Sequence, residues 1–101
     1  MQHKILTAPW FAAVIAVVLL SACAGAPVQD MSNARQAVAA AQQAGAERTA
    51  ASEMADAQRF LQAAQAALDQ GDYGTARQNA IRARNAAEKA LRISQGNPRP
   101  P

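Results

Sequence analysis

A chain of 101 residues, with ten Lys and Arg against seven Asp and Glu and a formal charge of +3, has room for one small domain at most. Half of the residues are hydrophobic but only 4% are aromatic, and beyond the first fifth of the chain the apolar content is mostly alanine, which buries little area per residue. Ala, Gln, Arg, Glu and Asp with few Gly and Pro favour helix, so the composition argues for an all-α fold, and a single Cys excludes an internal disulfide.

The first element is a leader. Lys4 gives a positive start, Ile5 to Leu20 an apolar body, and Ser21 and Ala22 small residues ahead of Cys23, which is the anatomy of a secretory signal over residues 1–22. An uncleaved membrane helix is the alternative, but the run carries Pro9 near its start and falls just short of the roughly 20 residues a spanning helix needs. Leu20-Ser21-Ala22-Cys23 resembles the lipobox of bacterial lipoproteins. The resemblance implies cleavage before Cys23, a diacylglycerol on its sulfur and acylation of the new amino group. Two or more acyl chains make a stable membrane anchor where one is marginal. In proteins of this kind a residue other than Asp after the cysteine implies sorting to the outer membrane, and here that residue is Ala24. The expected localisation is therefore the cell envelope, facing the periplasm. Processing would also remove His3, Trp10 and Lys4.

Residues 23–31 read as the acylated cysteine and a short tether with Gly25 and Pro27, which keeps the folded part close to the lipid. Residues 32–95 read as a helical domain. Its first helix runs from about Ser32 to Ala44 and stops at Gly45, a residue suited to a left-handed helix end. The second starts near Arg48 or Thr49, with Thr49 as a candidate cap, and reaches Asp69. Its seam is Ala50, Met54, Ala57, Leu61, Ala64 and Leu68, widened by Phe60. Gly71-Asp72-Tyr73-Gly74 forms a turn in which Asp72 can accept hydrogen bonds from the first free amides of the third helix. That helix repeats the seam at Tyr73, Ala76, Ala80, Ala83, Ala87 and Leu91. Two matched seams across a tight turn predict an alanine-rich antiparallel helical hairpin, with the N-terminal helix completing a small three-helix arrangement. Alanine seams allow axes to approach toward the short end of the usual 8 to 10 Å range. They also bury little, so the hairpin alone should be only modestly stable, and either the first helix or a second copy must cover its remaining apolar face. Residues 96–101, Gly-Asn-Pro-Arg-Pro-Pro, cannot continue a helix and read as a disordered tail.

The stretch Val38 to Ala90, through Ala44-Gly45-Ala46, the spacing of Ala57 and Leu61, and Gly71-Asp72-Tyr73 followed by Ala76, resembles a family of short Gram-negative lipoproteins known only as a domain of unknown function. The resemblance implies the fold and the envelope location and carries no activity. The turn Gly71-Asp72-Tyr73 with Ala76 and Ala83 is also similar to the middle of a tetratricopeptide repeat. One such unit implies a peptide groove only if copies stack.

Without His, Trp or a free Cys after processing, the commonest general base, thiol nucleophile and soft metal ligands are missing, so no catalytic residue, metal or cofactor is expected. Asp69 with Asp72, and Glu53 with Asp56, could be read as carboxylate pairs, but a helix cap and acids near a helix start account for them. Ser52, Thr75 and Tyr73 belong to no recognisable motif. On the third helix Arg77, Arg82, Arg84, Lys89 and Arg92 are the candidates for contact with an anionic surface, Arg82 and Lys89 away from the seam and Arg77 and Arg84 on its rim. The competing reading is a solvated face with helical pairs among Arg84, Glu88 and Arg92. Export argues against nucleic acid as a partner. The expected function is a non-catalytic lipoprotein acting as an adaptor for another envelope protein or a cell-wall polymer. The alternatives are a self-associating envelope spacer, which would be a homo-oligomer, and a cationic membrane-active peptide.

Overall fold

The computed structural model describes residues 25–96; the expected leader 1–22, Cys23 and all of the proline-rich tail beyond Gly96 lie outside the described residues. Within them the chain is helical without a strand: α1 (Val28–Gln43), α2 (Ala46–Thr49), α3 (Ala51–Asp69) and α4 (Tyr73–Ser94). The expected all-α arrangement, a hairpin with an additional N-terminal helix, is the one observed.

The ends of the helices reflect local chemistry. Pro27, with φ fixed by its ring at −79°, stands at the start of α1, and its carbonyl accepts from Met31 N–H at 3.0 Å. The first helix therefore begins at Val28, four residues earlier than the expected Ser32, and takes the last part of the expected tether into the bundle. Just past its end stands Gly45, whose φ of +78° reverses the chain. The second expected helix is divided. A single turn, α2, carries the chain across the end of the bundle, and Ala50, at φ −142° and ψ 53°, breaks it before α3 begins. Thr49 is consequently not the cap. Ala50 holds that position without a side-chain bond, and the Thr49 hydroxyl instead donates to Gly45 O at 3.2 Å and meets Ser94 Oγ at 2.6 Å. At the other end the chain turns as expected. Asp72 N–H reaches Ala67 O at 2.9 Å and Gly71 N–H reaches Leu68 O at 3.0 Å, the paired bonds of a Schellman ending, and Asp72 Oδ1 accepts from Thr75 N–H.

Helices α3 and α4 form the antiparallel hairpin, and α1 lies along α4. The direction of α1 is set out by its contacts: Asp30 reaches Arg77, Met31 and Ala34 pack with Ala80 and Ala83, and Val38 and Ala41 pack with Ala87 and Ala90. Residue numbers rise together, so α1 and α4 are parallel and both antiparallel to α3. The core is two stacked layers. One gathers Val38, Ala41, Ala46, Ala50, Met54, Ala57, Ala87 and Ala90, and the other Met31, Ala34, Ala64, Ala80 and Ala83. Met31 and Met54 are the largest fully buried side chains, one in each layer, and their unbranched thioethers fill the space that alanine leaves. No polar or charged side chain is buried among the described residues.

The seams differ from expectation at their large residues. Leu61, Leu68 and Leu91 are half-buried, Tyr73 is exposed, and Ala67 and Ala90 take buried places. Where axes pass closest a methyl fits and an isobutyl group does not, so the leucines, with Phe60, move to the flanks and cover the edges of the two layers.

Candidate functional site

The expected lipid-attachment site, Cys23 with Leu20, Ser21 and Ala22, lies outside the described residues. The described residues start at Gly25, two positions beyond Cys23. Gly25 and Ala26 lead to Pro27, which is buried, and Val28 N–H is bonded to Ala26 O at 2.8 Å. The chain thus enters α1 almost directly, at the end of the bundle that also carries the turn from Asp69 to Tyr73.

Helix α4 holds all five basic residues expected to face an anionic surface, and the fold divides them. Arg77 Nε lies 3.4 Å from Asp30 Oδ2 on α1, a pair formed between residues far apart in sequence. Arg84 Nε lies 3.6 Å from Glu88 Oε1 one turn further along its own helix. Both arginines are half-buried, as residues on the rim of the seam should be. Arg92 is also half-buried, and its Nε, like that of Arg84, is covered without a hydrogen-bond partner. Arg82 and Lys89 are exposed and, seven residues apart, lie on one side of α4 with Gln78 and Asn85 beside them. On α4 the free basic surface is therefore a narrow stripe on Arg82 and Lys89, flanked by Arg92, and the neutralised pairs stand toward α1; Arg35 on α1 and Arg48 on α2 are exposed as well. The pairing of Arg77 with Asp30 is invisible to helical spacing because the two residues belong to different helices.

Apart from Glu53, which stands in the first turn of α3, the carboxylates singled out in the sequence are occupied locally. Asp56 Oδ1 accepts from Arg59 at 3.1 Å, Asp69 Oδ1 accepts from Gln65 Nε2 at 2.9 Å, and Asp72 caps α4. Glu47 accepts from the side chains of Gln42 and Gln58 and so ties α2 to both long neighbours. Among the described residues no three His, Cys, Asp or Glu side chains are grouped as a metal site. No described helix is long and apolar enough to cross a membrane.

No curated protein and no solved structure matches the chain. A family match does exist, and its limits, residues 29–96, coincide almost to the residue with the helical bundle from Val28 to the turn at Gly96. The chain belongs to the family described as Domain of unknown function (DUF4398).

Proposed function

We propose that the protein is a non-catalytic accessory of the bacterial cell envelope, in which acylated Cys23 holds the three-helix bundle at a membrane, with the outer membrane and its periplasmic face as the site of action. The observation that carries this reading is Leu20-Ser21-Ala22-Cys23 at the end of the apolar run from Ile5. Its position supports the same reading, because only Ala24 to Pro27 separate the cysteine from a helix that is packed along its whole length. Anchored in this way, the bundle works as an adaptor: a rigid helical surface presented beside the lipid to another envelope protein or an acidic cell-wall polymer, with Arg82 and Lys89 as the free cations of α4.

The adaptor reading is favoured over a self-associating spacer by the position of α1. The hairpin needs a cover for its alanine face, and α1 supplies that cover from within the same chain. A membrane-active cationic peptide fits less well, since Arg77 and Arg84 are paired with Asp30 and Glu88. Intact-mass measurement of protein extracted from bacterial membranes tests the anchor. The expected species begins at Cys23 and is heavier than its polypeptide by a diacylglyceryl group and one fatty acyl chain, whereas an intact leader with a bare thiol overturns the reading.

A further inference from the structure

Two large apolar side chains stand exposed among the described residues, Val28 at 73% and Tyr73 at 40%, and both lie at the same end of the bundle. Val28 opens α1 and Tyr73 opens α4. The two helices run parallel, and Asp30 reaches Arg77 at 3.4 Å one turn in from each start, so the first turns stand side by side. They are not surplus from a poorly covered core, because Met31 and Ala76, one turn behind them in the two helices, are fully buried. The chain from Cys23 arrives at this same end.

We propose that this end of the bundle seats Val28 and Tyr73 in the interfacial layer of the membrane to which Cys23 is anchored. The proposal rests on the lipid-anchor reading above and adds an orientation to it. Five residues of chain from Cys23 to Val28 reach about 17 Å at most. The true reach is shorter, since Val28 N–H bonds back to Ala26 O and Pro27 is buried against the bundle. A tyrosine, with an apolar ring and a polar hydroxyl, is at home at the level of the headgroups, and the exposed valine at the same end adds apolar area toward the same surface. Charge selects the kind of surface. Asp69 and Asp72 stand exposed at this end, and the Arg77 next to them is neutralised by Asp30. An anionic surface would repel it, so the contact is made with zwitterionic phospholipid through apolar and aromatic groups, while Arg82 and Lys89 remain on the side of the bundle.

The chain carries its own probe: Tyr73 is its single tyrosine and Trp10, its single tryptophan, lies in the leader. The acylated protein, purified from membranes and placed in phosphatidylcholine vesicles, is compared with and without bromine atoms near the headgroup end of the acyl chains. Brominated lipid should quench Tyr73 emission, Val28→Asp should reduce the quenching, and the double variant Tyr73→Ser, Gln95→Tyr, which moves the probe to the opposite end, should escape it. Equal emission of Tyr73 in both lipids, with Cys23 acylated by mass, overturns the docking and leaves the anchor standing. Equal quenching at positions 73 and 95 overturns the end-on seating in the same way. A bare Cys23 removes the anchor and this proposal together.

Discussion

Gly71 and Asp72 share the reversal between α3 and α4, and their contributions are separable. Gly71 sits at φ +77°, and a Cβ placed there would meet nothing within 4 Å, so a side chain would cost backbone strain alone. Gly71→Ala should therefore destabilise by about 1 to 2 kcal/mol, the cost of the left-handed region for an L-residue. The Asp72 cap is an exposed bond of 3.3 Å, and Asp72→Ala belongs at the weak end of cap losses, about 0.5 kcal/mol. Urea unfolding of the two variants should rank them in that order; a larger loss for Asp72→Ala would mean that the cap, and not the glycine, holds the turn. This site is legible in the sequence because both groups act on backbone within a few positions of themselves. Thr49 departs from expectation for the converse reason. It has the residue type of a cap, but its hydroxyl partner, Ser94, lies 45 positions away and is brought to it only when α4 returns along α1.

At the scale of the element, an alanine seam decides helix spacing, and the fold is sensitive to volume where axes pass closest. Ala83 has no accessible surface and packs with Met31, Ala34 and Ala80. Ala83→Leu enlarges a side chain in that layer and should cost about 1 to 3 kcal/mol through displaced neighbours. The same change at exposed Ala63 should stay within about 0.5 kcal/mol of neutral. Thermal melts followed by circular dichroism would show a large drop for the first and almost none for the second; matched midpoints would mean that the seam is looser than its burial implies. The leucines show what spacing can and cannot tell. The heptad pattern places Leu61, Leu68 and Leu91 on the correct side of their helices, yet close approach pushes them to the flanks and gives the centre to alanine and two methionines. Periodicity reports direction around an axis, not distance to the next one.

For the whole molecule the question is how a chain with so few large side chains holds together. The answer in the structure is completeness of cover: the three long helices and the single turn α2 close both layers, and the described core holds no polar side chain that would need a partner. Residues 24–101 should accordingly sediment as a monomer and melt at a midpoint independent of concentration. Residues 46–101, which lack α1, leave Ala80, Ala83, Ala87 and Ala90 uncovered and should either associate or lose cooperative melting. A truncated hairpin that stays monomeric and melts as sharply as the longer chain would show that α1 is not the cover. With the core closed in this way, the contacts proposed for the bundle fall on its exterior, at the Arg82 and Lys89 stripe and the end bearing Val28 and Tyr73.

Helicity, the positions of the glycine turns and the cysteine motif on which the envelope reading depends are all legible along the chain, because propensity, capping and a four-residue motif are local properties. That α1 runs parallel to α4, that Arg77 is neutralised by Asp30 and that Tyr73 is left outside the seam emerge only when the helices pack. The physical reason lies in the alanines: a methyl group is the same on every face of every helix, so which faces become core is settled by how closely three axes can approach at once, a property no single segment possesses.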